Sequence, residues 1–351
     1  MQQQKQVHYS DYLQLDKILN AQTLESDLLQ QHAHDEMLFI VIHQAYELWF
    51  KQLLFEIDSV AAIMQKPAVN DNSPELQTVV HRLNRVVTIL KVLVHQIDIM
   101  ETMTPMDFLD FRDMLRPASG FQSWQFKLVE AKLGLKYQQR HGQEYYISQL
   151  RQQQIDLIRQ AEKERSFIEL LNAWLERMPF FEEGSNWEHY KPVSREAGKG
   201  PSPFWVDYRY IYASGLAEAE QNNIQFFDAV FADESASPER QLSPKACRAA
   251  LFIMLYRGYP ILQLPFQLLN GLLEIDEQLS TWRYRHMSMV QRMIGTRIGT
   301  GGSTGRDYLK GALDKHYIFA EISRLTSFLI ERRKLPVLSH EMEKRLGFVH
   351  G

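Results

Sequence analysis

The chain has 351 residues, 45% hydrophobic and 23% charged, with a formal net charge of -4; this is ordinary for a soluble globular protein and excludes the basic stripe that a nucleic-acid partner requires. One cysteine, Cys247, rules out an internal disulfide, cysteine-rich zinc sites and iron–sulfur clusters, and fits a reducing compartment. The glutamine-rich start has no signal-peptide core and no apolar stretch is long enough to span a bilayer, so a cytoplasmic protein without a membrane partner is expected.

Helical periodicity runs along most of the chain. Apolar residues at three- and four-residue spacing, among them Leu38, Val41, Ile42, Ala45, Leu48, Trp49, Leu53 and Ile57, predict a long helix over 35–64, with Asp35 as its N-cap. A second run, through Val79, Leu83, Val86, Leu90, Leu93 and Ile97, predicts a helix over 74–103. Thr104, Pro105 and Asp107 together signal a new helix start, which the Pro117–Gly120 stretch brings to an early end. Residues 144–178 again read as helix. The stretch 179–203 carries proline, glycine and scattered aromatics and reads as a long connection.

Helix is expected over 207–231, a polar loop over 234–240, and a helix from Ser243–Pro244 to about Gly258. Residues 262–294 read as mostly helical, with a break possible at Asn270–Gly271 and Gly295 as the cap. A glycine-rich loop at 299–305 precedes one or two closing helices. Strand signals are few. The expected fold is all-α: one domain over 1–351, a helical bundle with a less regular peripheral insertion at 179–242.

Two histidines stand out on the long helices. His43 shares a helical face with Phe39, Tyr46 and Phe50, and His286 with Leu279, Trp282, Val290 and Met293. Taken singly, each suits a buried histidine bonded to a neighbour better than a ligand. Two such residues facing each other across a bundle could instead serve a haem, whose iron needs imidazole on an apolar wall. No His-Glu-x-x-His or Glu-x-x-His occurs, and without Cys-x-x-Cys-His any haem would be held non-covalently. Arg112 offers a planar fork that matches a carboxylate bidentately, although taken alone a surface salt bridge is its more ordinary use. The loop at 299–305 lacks the Lys-Ser/Thr ending of a phosphate loop and follows a helix; its glycines allow close backbone approach to a ligand, and Thr300 adds a hydroxyl.

Read together, six segments resemble the tryptophan 2,3-dioxygenases: 9–20 (YSDYLQLDKILN), 34–51 (HDEMLFIVIHQAYELWFK), 108–112 (FLDFR), 117–123 (PASGFQS), 282–287 (WRYRHM) and 299–305 (GTGGSTG), with 264–269 (LPFQLL) between. The resemblance covers nearly the whole chain. It implies a haem b held by His286 as axial ligand, and cleavage of the indole C2–C3 bond of L-tryptophan by O2 to give N-formylkynurenine. It places His43 on the distal side near the indole N–H. Arg112 would take the substrate carboxylate and Thr300 the amino-acid end, while Phe39, Phe108, Tyr12 and Leu13 wall the indole, with Tyr9 close by. Ser119 resembles a serine near the oxygen.

The family enzyme is a homotetramer, so the segment 1–34 is expected to reach a neighbouring subunit and present Tyr9, Tyr12 and Leu13 in trans. Some members carry tyrosine where this chain has Phe108, and serine is common where it has Thr304. A related haem monooxygenase acting on another indole or a tyrosine derivative is the alternative within the superfamily. A helical scaffold without cofactor is the alternative outside it. Arg112 together with the Phe39/His43 pair favours the dioxygenase.

Overall fold

The first long helix, α1 (Glu36–Met64), buries Ile42, Phe50, Leu53, Ile57, Val60 and Met64 along one face. At 29 residues it extends roughly 43 Å. Asp35 occupies the cap position but makes no side-chain cap bond. Its neighbour Glu36 instead turns back and accepts the backbone N–H groups of Glu25 and Ser26 at 2.8 and 3.0 Å. Helix α2 (Pro74–Met100) starts as its sequence directs, with Pro74 in the first turn and Ser73 Oγ accepting the Leu76 N–H.

A capping box opens α3 (Pro105–Arg112): Thr104 Oγ1 accepts from Asp107 N, and Asp107 Oδ2 accepts from Thr104 N. Ser123 caps α4 (Trp124–Leu133). The stretch expected as one helix over 144–178 is three: Gln143–Ser148, Gln152–Lys163 and α5 (Phe167–Glu176). The break before α5 has a local cause, since the Glu169 carboxylate takes both the N–H and the hydroxyl of Ser166 and so restarts the helix.

The stretch 179–242 contains α6 (Pro203–Gly215) and α7 (Asn223–Phe231), where one helix over 207–231 was expected. Phe204, Tyr208, Phe227 and Phe231 are buried there; Phe204 meets Phe252 edge-on and Tyr256 at a tilt, and Phe227 and Phe231 meet Phe328 edge-on, so this stretch shares the main core. Helix α8 (Pro244–Leu255) lies within that core. Helix α9 (Gln263–Ile294) runs unbroken for 32 residues. Gly271, where a break was expected, is buried 3.9 Å from the Leu83 Cβ of α2 measured to the Cβ it lacks, an ordinary packing distance. Burial against α2 outweighs the cost of one glycine, about 1 kcal/mol. Gly295 ends α9 with φ 59°, a conformation that suits glycine.

The structure, a computed structural model, describes residues 6–178, 184–194, 202–232, 240–299 and 305–347. Every regular element among these is helical. Helix α2 packs between α1 and α9, α4 lies against α1, and α10 (Gly305–Lys315) lies against α9. Among the described residues no helix is long and apolar enough to cross a membrane. The bundle thus lays α1 and α9, which carry the two histidines, beside a common space closed by α3, α4 and α10.

Candidate active site

That space is a cavity of about 280 Å³ whose wall includes Phe39, His43, Phe108, Arg112, Ser119 and His286. The polar residues singled out in distant segments therefore meet in one place. Phe39 and His43 lie one turn apart on α1 with ring centroids at 4.1 Å. Phe39, Phe108 and Phe111 form a triangle of rings at 5.5 to 5.7 Å that ties α1 to α3.

Nδ1 of His43 lies 2.7 Å from the carbonyl oxygen of Phe39. A carbonyl only accepts, so Nδ1 carries the proton and the lone pair is left on Nε2. Burial lowers the pKa of His43, opposed by the Phe39 bond and by Glu47, and leaves the ring uncharged at neutral pH. Burial also pushes His286 down to about 4, with His43 facing it adding to the effect. Nδ1 of His286 is buried with no hydrogen-bond partner among the described residues. Its ring is nearly parallel to that of Trp282, 4° between planes and 5.2 Å between centroids.

Arg112 is only 4% exposed. Its Nη2 donates to the carbonyl of Ile298, its Nη1 stands 4.0 Å from Asp113, and its Nε is buried without a partner among the described residues. A guanidinium held at a cavity wall with donor capacity to spare can take a carboxylate. Ser119 Oγ accepts the Phe121 N–H at 3.4 Å, which shapes the turn beside the cavity. Thr300, with most of the glycine-rich loop, lies outside the described residues. Tyr9, Tyr12 and Leu13 sit on a short helix, Tyr9–Leu13. Tyr9 is 71% and Tyr12 74% exposed, and none of the three lines the cavity of its own chain.

The sequence reading missed the polar end of the cavity. Glu130 is buried beneath it, bonded to Arg140 Nη1 and, at 2.6 Å, to Arg283 Nη2. Burial alone would raise the Glu130 pKa, but Arg140, His316 and Arg283 together hold it well below the usual carboxylate range. His316 accepts the His141 N–H on Nε2, so its Nδ1 carries the proton 3.8 Å from Glu130. Burial lowers Lys127 to about 8, opposed by Glu130; its Nζ donates to the Phe121 carbonyl. One signal was available in the sequence: Lys127 and Glu130 interrupt an otherwise apolar turn of α4, and Arg283 stands three residues before His286.

Among the described residues no group of three or more His, Cys, Asp or Glu side chains could cage a metal ion. The donor set is instead one uncharged imidazole in an apolar wall with a second opposite it. That fits a flat prosthetic group whose metal takes a single protein ligand.

Comparison with known proteins agrees. A family model described as tryptophan 2,3-dioxygenase matches residues 1–329. Curated relatives bearing that name include one from Bdellovibrio bacteriovorus, 44% identical across 97% of this chain and 98% of the relative. One from Alteromonas mediterranea is 44% identical over 97% of each chain. One from Rattus norvegicus is 40% identical over 96% of this chain and 86% of its own length.

Proposed function

Since the chain belongs to the tryptophan 2,3-dioxygenase family, we propose that its cavity holds a haem b on His286 and L-tryptophan on Arg112. The chain is a dioxygenase that adds both atoms of O2 across the indole C2–C3 bond of L-tryptophan and yields N-formylkynurenine. Haem, when bound, supplies the redox chemistry that activates dioxygen. The protein's part is to hold and orient.

The observation that carries this reading is the meeting of His43, Arg112 and His286 on one cavity from three distant helices. His286, uncharged at neutral pH, offers a free imidazole lone pair to iron. Arg112 exchanges its Ile298 carbonyl for the substrate carboxylate, a charged acceptor that binds more strongly. Thr300 contacts the amino-acid end. Phe39 and Phe108 wall the indole and Ser119 stands near the oxygen. His43, with its proton on Nδ1, presents Nε2 as acceptor to the indole N–H. It positions the ring by that hydrogen bond and need not abstract the proton.

The enzyme is read as a homotetramer in which Tyr9, Tyr12 and Leu13 reach the cavity of a neighbour. Two surface features support this. Tyr9 and Tyr12 stand in solvent on the single chain. On α1, Met37, Val41, Leu48 and Phe55 are exposed on one face at spacings of four and seven residues, with Val92 and Ile99 exposed on α2. The single cysteine, buried, fits a cytoplasmic setting.

The test is direct. Protein purified after haem supply should show a Soret band and convert L-tryptophan to N-formylkynurenine, and His286→Ala should lose both. Haem-replete protein without N-formylkynurenine production overturns the substrate assignment. An unchanged ferrous haem spectrum in His286→Ala overturns the axial assignment.

A further inference from the structure

We infer that Trp282 is a positioning residue for His286, fixing the plane of its imidazole by ring stacking where a hydrogen bond would ordinarily do so. The inference rests on His286 as the haem ligand. A ligating histidine is usually oriented through its second ring nitrogen, which donates to a carboxylate or carbonyl. Here Nδ1 of His286 is buried and no acceptor among the described residues reaches it. Nε2, by contrast, is not buried and faces the cavity that His286 lines. Among the described residues no polar contact, then, defines the rotation of the ring about its Cβ–Cγ bond.

Trp282 supplies the definition. It lies one turn before His286 on α9, and the two rings are within 4° of parallel at 5.2 Å between centroids. This is the offset-stacked arrangement that aromatic quadrupoles favour. The indole is itself held from two sides. Phe126 of α4 packs against it at 4.9 Å and Tyr46 of α1 meets it edge-on at 6.1 Å. The Tyr46 hydroxyl donates to the Leu93 carbonyl of α2 at 2.8 Å, so that ring is fixed as well. The orientation of His286 is thus set by three neighbouring helices through Trp282, and rotation of the imidazole would break the stack.

The experiment compares Trp282→Phe, which keeps a ring, with Trp282→Met, which fills the volume flexibly without one. Both are studied as ferric and ferrous holoenzyme, by electron paramagnetic resonance, by the iron–imidazole stretch in resonance Raman spectra and by the rate of haem transfer to an acceptor protein. Trp282→Phe should keep one narrow ferric signal and a wild-type transfer rate. Trp282→Met should give a broadened or split ferric signal, a shifted stretch and haem loss faster by about tenfold or more. A wild-type signal and rate in Trp282→Met overturns the inference. Equal losses in the two variants also overturn it, because general packing would then be the cause. Failure of the axial reading is separate: it shows as an iron–imidazole stretch that survives His286→Ala.

Discussion

Nη2 of Arg112 donates to the backbone carbonyl of Ile298, a residue 186 positions further along the chain. One guanidinium thereby joins α3 to the segment that leads into the glycine-rich loop. A carboxylate taken at Nη2 would compete with that carbonyl, so on the proposed reading carboxylate capture and release of Ile298 would be coupled. Arg112→Ala should raise KM for L-tryptophan about ten- to a hundredfold, from the loss of a charged pair worth ~1.5–3 kcal/mol. Arg112→Lys should not restore it, since a point charge cannot reproduce the planar fork. Steady-state kinetics decide; a KM unchanged in Arg112→Ala removes the role.

His43 holds its proton on the nitrogen that faces Phe39. A residue that only accepts a hydrogen bond is dispensable in a way that a base is not. His43→Ala should therefore lower kcat while leaving measurable turnover in haem-replete protein. His43→Asn, which retains an acceptor, should recover part of the loss. Complete inactivity of both variants with normal haem content would show that a proton must leave the indole through His43.

Glu130 is the sole carboxylate in contact with both Arg140 and Arg283 among the described residues. Glu130→Gln would leave the buried Arg283 guanidinium without a carboxylate in contact among the described residues and Arg140 with only the more distant Glu162, which costs about 3–5 kcal/mol. The urea midpoint should fall accordingly. Glu162→Gln should cost much less, because Glu162 reaches only the Nε of Arg140, at 3.7 Å. Similar midpoints for the two variants would contradict the central place of Glu130.

Lys127 gives a pH signature. Its folded pKa, about 8, lies below the ordinary 10.5, so between these values the unfolded chain binds more protons than the folded one. Stability contributed by this group therefore rises with pH across about 8 to 10.5 and is absent below 8. The difference amounts to about 3 kcal/mol. Lys127→Met should remove this rise. It should also stabilise the protein at pH 7, less the lost bond to the Phe121 carbonyl. The check is the unfolding free energy of wild type minus variant from pH 7 to 10.5; a flat difference refutes it.

The long helices were legible because their cause is local. Periodic apolar faces and the Thr104–Asp107 box are short-range signals, and both appear in the structure. The division of 144–178 carried an equally local sign, Ser166 three residues before Glu169, but the periodicity obscured it. The reach of 203–231 into the main core had none, since the pairing of Phe204 with Phe252 joins residues far apart in the chain. At the site, His43, Arg112 and His286 were each ambiguous alone, and their ordered motifs made the assignment. The Glu130 cluster stayed hidden because Glu130, Arg140, Arg283 and His316 come from four separate segments, and a lone polar residue in each reads as part of a solvated face.

The bond pair from Glu36 to the backbone of Glu25 and Ser26 divides the N-terminal stretch into two classes of hydrogen exchange. Glu36 is fully buried and part of α1, so the amides of Glu25 and Ser26 can exchange only when the start of that helix opens. The amide of Ala33, bonded to Ser26 Oγ at 3.1 Å, belongs to the same class. Residues 9–19 share no such tie and should exchange within the time of local fraying in the isolated subunit. Protection there would have to come from another chain. A protection profile measured against protein concentration would then read out whether the arm is engaged, amide by amide, with Glu25 and Ser26 as the internal standard.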